Sequence, residues 1–168
     1  MPPTALESFA FVLADLGYDR DPECADTASR FLSVLEAFRP GQAAPGLEVF
    51  AAPPGGDEVR LEGLPFHSLC AHHLLPFFGT ADVAYVPTTH IAGLGAIARA
   101  LRHFARQPQL QERLGASLAD HLHAALGGPV AVRLRARQMC MELRGAESAG
   151  EVVTLALRGG ATRALLLP

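Results

Sequence analysis

Between Val130 and Arg137 apolar and polar side chains alternate residue by residue, with Val130, Val132, Leu134 and Ala136 on one side and Ala131, Arg133, Arg135 and Arg137 on the other. A period of two calls for a β-strand with one apolar face and one arginine-rich face. Such a strand needs neighbours, because its backbone N–H and C=O groups must be paired. Val59 to Phe66 and Ala81 to Val86 have the β-branched and aromatic content of two more strands, and Glu151 to Leu157 supplies a fourth.

Between the second and third of these strands the period changes. Leu94, Ile97, Ala98, Leu101, Phe104 and Ala105 recur at helical spacing, and Pro108 closes that stretch. Leu110, Leu114, Leu118, Leu122 and Leu126 then fall on every fourth residue until Gly127-Gly128-Pro129 stops the helix. The order strand, strand, helix, helix, strand, strand predicts an α+β domain: an antiparallel sheet with its helices on one face. A four-stranded open sheet leaves two free edges, so copies of the chain are expected to join into a larger barrel.

Upstream, two helices are expected, near Leu6 to Leu16 and Ala25 to Phe38, with Asp26 or Thr27 as a cap for the second. From Arg39 to Asp57 the prolines and glycines break any period and read as a linker. The division expected is therefore a helical pair with its linker over residues 1–57 and a catalytic domain over 58–168. No apolar run is long enough to span a membrane and Met1 to Thr4 lacks a leader's basic region, so a cytoplasmic chain is expected. The net charge of −3 argues against nucleic acid as a partner. All 14 basic residues are arginine, which excludes Schiff-base or phosphate-binding lysine chemistry.

The 3 cysteines, Cys24, Cys70 and Cys140, are too few and too odd in number for a disulfide framework. Cys70 and His73 stand three apart, a spacing that a tight turn directs at one ion, and Cys140 offers a third ligand. Three protein ligands leave one tetrahedral position for water, the pattern of a catalytic zinc. Cys-x-x-His alone is a weak signal, and a buried cysteine is equally an ordinary small apolar side chain. His72 is either an acid or base beside the metal or a histidine bonded for structure.

The run Cys70-Ala71-His72-His73-Leu74-Leu75-Pro76-Phe77-Phe78-Gly79 is followed by Val83 to Pro87, Ile91 to Leu94, Gln109 to Leu114, Met139-Cys140-Met141 and Arg144-Gly145. In order and gaps this series resembles GTP cyclohydrolase I. The resemblance implies the tunnelling fold (ββααββ), assembled into barrels and stacked as a homo-oligomer, typically a decamer. It also implies zinc held by Cys70, His73 and Cys140, with His72 assisting proton transfer at a purine ring. Gln111 and Glu112 match residues that hold the guanine edge, and Arg99 and Arg144 match arginines on the triphosphate.

Three positions depart from that family's pattern. Ala71 replaces a glutamate, Gly95-Ala96 replaces a serine-lysine pair, and Gln138 stands where the family has a catalytic histidine. Glutamine cannot shuttle a proton as imidazole does. The expected activity is a zinc-dependent hydrolase that opens or hydrates the imidazole ring of a guanine nucleotide or a related purine-like heterocycle. Dihydroneopterin triphosphate formation need not be completed. The alternative is a non-catalytic zinc-binding paralogue with an assembly or ligand-sensing role.

Overall fold

The computed structural model describes residues 3–166, so residues 1, 2, 167 and 168, including the start of the segment read for a leader, lie outside it. The chain forms two compact units, residues 1–39 and 40–168. Residues 40–57 thus go with the second unit, where the sequence groups them with the first.

In the first unit, α1 (Ala5–Asp15) starts at a capping box in which Thr4 and Glu7 satisfy each other's backbone and side-chain groups. Two single-turn 3-10 segments, Tyr18–Arg20 and Pro22–Cys24, lead to α2 (Thr27–Ala37). Asp26 does stand at the N-cap of α2, but its carboxylate pairs with Arg30 instead of a backbone N–H. Phe9 and Phe31 stack at 5.2 Å, and Ala28 is buried.

The second unit corrects the linker reading. Val49–Ala51 forms β1, paired antiparallel with β4 (His90–Ala92). Three residues among prolines and glycines carry no local strand signal; a partner some forty positions away supplies the hydrogen bonds. The main strands are longer than their composition indicates: β2 is Val59–Cys70 and β3 is Pro76–Tyr85. The polar end of β2 is tolerated because the buried Ser68 hydroxyl donates to the Ala105 and Gln107 carbonyls.

Helix α3 (Leu94–Ala105), the two-residue strand β5 (Pro108–Gln109) and α4 (Gln111–Leu126) follow. Pro108, expected only to stop a helix, opens β5, which pairs parallel with Leu69 and Cys70. Gly127, at φ 70°, ends α4 in the left-handed conformation open to glycine. The chain closes with β6 (Val130–Gln138), the one-turn α5 (Met139–Glu142) and β7 (Glu151–Arg158). The sheet order is β5-β2-β3-β6-β7, antiparallel except for β5. This is the α+β order of two strands, two helices and two strands read from the sequence.

Leu114, Leu118, Leu122 and Leu126 of α4 and Ile97 and Leu101 of α3 are fully buried with Phe77, Val83, Val132 and Leu134 of the sheet. Each such side chain contributes roughly 1.5–3 kcal/mol by leaving water. On the opposite face Asp82 of β3 ties three strands, accepting from the Gly63 N–H of β2 at 2.9 Å and the Arg133 Nε of β6 at 2.9 Å. Among the described residues no helix is long and apolar enough to cross a membrane.

Candidate active site

Three strand ends meet beneath the site. Ser68 of β2 pairs with Phe77 of β3, which pairs with Gln138 of β6, so Cys70 and Cys140 lie two residues beyond one row. After Cys70 the chain turns sharply. The N–H groups of His73 and Leu74 both donate to the Cys70 carbonyl, at 3.3 and 2.8 Å, and the Cys70 N–H donates to the Leu75 carbonyl at 2.8 Å. Leu74 closes the turn at φ 54°, a left-handed backbone that costs a non-glycine residue about 1–3 kcal/mol. The turn brings residues three apart to one side, and His72 and His73 diverge, their rings edge to face at 6.1 Å. From the far side, α5 begins directly after β6, and its first turn presents Cys140.

Cys70 Sγ lies 3.7 Å from His73 Nδ1, and one ligand atom from each of Cys70, His73 and Cys140 lies within 4.8 Å of the others. Tetrahedral zinc with ordinary Zn–S and Zn–N bonds sets neighbouring ligand atoms about 3.6–3.8 Å apart, so this group fits that ion with little adjustment. Burial pushes the Cys140 thiol above its ordinary pKa, and the adjacent Cys70 thiol pushes it further, with Arg144 partly opposing. A second thiolate beside the first is costly without a cation, and a divalent ion removes that cost. Among the described residues the group has three members and no fourth protein ligand.

A cleft of about 250 Å³ opens beside these ligands, lined by Cys70, His72, Gln109 to Glu112, Gln138, Cys140 and Val152. Six of the nine site residues named from the sequence, Cys70, His72, Gln111, Glu112, Gln138 and Cys140, therefore share one cavity wall, and His73 joins through the ligand group. Gln111 is 3% exposed. Its Nε2 donates to the Leu134 and Val152 carbonyls at 3.2 and 2.9 Å, and its Oε1 accepts from Gln138 Nε2 at 2.7 Å.

The two arginines stand apart from that wall. Arg99 of α3 is exposed and pairs with Glu48 at 3.5 Å, its guanidinium lying over Gly95, where a Cβ would come within 3.2 Å. Arg144 is exposed, four residues beyond Cys140 and near enough for its charge to act on that thiol. Ala96 is 4% exposed, so no cation occupies the position where the family pattern has lysine.

Sequence reasoning passed over Gln109. Its buried carboxamide donates to the Phe104 carbonyl at 3.0 Å and accepts from Arg113 Nε at 2.6 Å, while its backbone carbonyl receives the Ala71 N–H at 2.9 Å. It fastens the turn after Cys70 to the start of α4, and only its place beside Pro108 hinted at a special backbone.

Known proteins resemble this chain over most of its length. GTP cyclohydrolase 1 of Lactiplantibacillus plantarum is 40% identical over 145 residues, covering 83% of this chain and 77% of that protein. GTP cyclohydrolase 1 of Aquifex aeolicus is 40% identical over 151 residues, covering 88% and 82%. A solved structure, the apo form of the archaeosine synthase QueF-Like, overlaps 71% of this chain and all of its own at 18% identity and a TM-score of 0.42, too low to bear on fold or activity. The family model described as GTP cyclohydrolase I matches residues 6–164, which takes in the whole ligand turn, the cleft and Cys140, and the chain belongs to that family.

Proposed function

We propose that this chain is a zinc-dependent hydrolase of the cyclohydrolase type that opens the imidazole ring of a guanine nucleotide or a related purine-like heterocycle, with the later rearrangement to dihydroneopterin triphosphate impaired. The observation that carries this reading is the convergence of Cys70, His73 and Cys140 at the wall of a cleft that also holds His72 and Glu112. Cys70, His73 and Cys140 would hold the metal. When bound, zinc supplies Lewis acidity that makes water nucleophilic near neutral pH.

The remaining work falls to the chain's own groups. Ring opening adds the oxygen of water to the carbon between the two imidazole nitrogens and breaks one carbon–nitrogen bond, and the departing nitrogen takes a proton. His72 is the imidazole in the cleft that is not part of the ligand group, and it serves as the acid and base for that transfer. Glu112, in the first turn of α4, offers a carboxylate acceptor to the amide and amine donors of a guanine edge. Arg144 and Arg99 are the cations for a phosphate chain, with Arg99 first leaving its exposed pair with Glu48, a bond worth at most about 1 kcal/mol. Gln138 occupies the second proton-transfer position and does not titrate. A zinc kept only for assembly normally has four protein ligands, whereas three gather here.

The test is incubation of zinc-loaded protein with GTP, GMP, guanosine and guanine, with formate, ring-opened pyrimidines and pterins followed by mass spectrometry. A ring-opened product with little pterin is expected. Dihydroneopterin triphosphate formed at a rate ordinary for the family would refute the impairment, and silence on all four compounds would refute a guanine substrate in favour of another heterocycle or a non-catalytic role.

A further inference from the structure

A carboxamide has two N–H donors and one acceptor oxygen, and in Gln111 all three groups are already engaged by the protein. Nε2 bridges the Leu134 carbonyl of β6 and the Val152 carbonyl of β7, and Oε1 receives Gln138 Nε2 at 2.7 Å. The side chain is 3% exposed although it lies in the cleft wall. Turning it toward a ligand would break two bonds to strand carbonyls in a largely buried setting, a loss that a single new bond does not offset. Gln138 is in the opposite position. It is half-buried in the same wall, and beyond its bond to Gln111 its Oε1 and second N–H have no partner among the described residues.

We infer that Gln111 is a positioning residue that acts through Gln138 and is not itself a substrate ligand: it clamps the Gln138 carboxamide so that a fixed, non-titrating donor and acceptor edge faces the heterocycle in the cleft. This rests on the cleft being the substrate site proposed above, and it replaces the guanine-holding role that family resemblance implies for Gln111. The clamp also explains why glutamine suits position 138. A shorter side chain would not span to Gln111 Oε1, and an acceptor-only carboxylate would face that oxygen with no proton to share.

The test is a double-mutant cycle on the zinc-loaded full chain with Gln111→Met, Gln138→Met and both changes together, methionine matching the length without hydrogen bonding. With GTP as substrate, Gln138→Met is expected to lower kcat for ring opening about tenfold, the order of one lost hydrogen bond. Gln111→Met is expected to do the same in the wild-type background and to add little once Gln138 is gone, with KM moved less than kcat. A KM increase from Gln111→Met that is equally large in both backgrounds would show Gln111 touching substrate and would overturn the inference.

Thermal melts of the same set without substrate separate this inference from the functional reading. If the protein turns over no guanine compound the guanine reading falls, yet non-additive melts still establish the clamp and additive melts refute it. Should Gln111→Met fail to fold, side-chain amide resonances decide. The Gln111 amide is expected to shift on Gln138→Met and to stay in place when GTP is added to the wild type; the reverse pattern would overturn the proposal.

Discussion

Replacing the Cys140 sulfur by oxygen leaves the shape of α5 nearly unchanged and removes the one ligand contributed from beyond β6. Loss of outer-shell partners alone weakens metal binding roughly 10- to 100-fold, so Cys140→Ser is expected to exceed that range. Zinc content after dialysis, measured against protein concentration, should fall from near one ion per chain to a small fraction. Full retention would remove Cys140 from the ligand set. Gln138→His is the converse change, restoring a titrating imidazole in the wall of the cleft. It is expected to speed the steps after ring opening by about 100- to 10,000-fold, seen as a shift from ring-opened product to pterin. An unchanged product ratio would show that Gln138 is not the altered group. At this scale the Cys70, His73 and Cys140 cluster was legible only with the family resemblance added, since Cys-x-x-His and a distant cysteine are by themselves a weak signal. The bonds of Gln111 and Gln109 were not, since their partners, Leu134, Val152 and Phe104, are brought together only by the packed sheet and helices.

Helices α3 and α4 were legible from the local sequence: a long apolar stripe encodes a helix locally, and α4 ends directly before Gly127, while α3 ends at Ala105, three residues short of the Pro108 read as its stop. Strands β1 and β5 were not, because two or three residues gain strand geometry only from a partner that the local sequence does not show. The α3–α4 contact carries its own titration. His121 of α4 lies against Phe104, with ring centroids 5.4 Å apart, bonds to the Pro45 backbone, and leaves a buried Nε2 without a partner. Burial, then the charge of His103, lowers its pKa, while the bond to Pro45 opposes them. A depressed folded-state value means that the unfolded chain takes up this proton first as pH falls. The stability from the neutral ring is therefore present above about pH 6.5 and is lost as pH drops through the folded value. His121→Gln keeps a donor for Pro45 and cannot titrate. Its melting temperature is expected to fall less than that of the wild type between neutral and mildly acidic pH; equal slopes in the two proteins would refute the assignment.

Sheet edges govern the behaviour of the second unit as a whole. β7 is an edge strand of 8 residues, and on the other side β5 covers only Leu69 and Cys70, leaving most of β2 open. Because β2, β3, β6 and β7 alternate in direction, β7 runs antiparallel to β2. Successive copies related by rotation about an axis along the strands can then join β7 to the next β2 without breaking the alternation, a head-to-tail contact that closes into a ring. The face away from the helices is prepared for such cover, with Phe78, Val153 and Leu155 at 39%, 55% and 36% exposure beside Arg133, Arg135 and Arg137. The expected outcome is a homo-oligomeric barrel, checked by native mass spectrometry and light scattering at micromolar concentration, where a monomer would refute it. Proline at Val153 and, separately, at Thr154 gives a sharper reading. Along an edge strand alternate N–H groups face the ladder and the open side, so one of the two substitutions breaks β6–β7 pairing while the other removes only an outward donor. The second is expected to keep the fold by circular dichroism and lower the oligomer's mass; if both keep the full mass, β7 is not the joining edge.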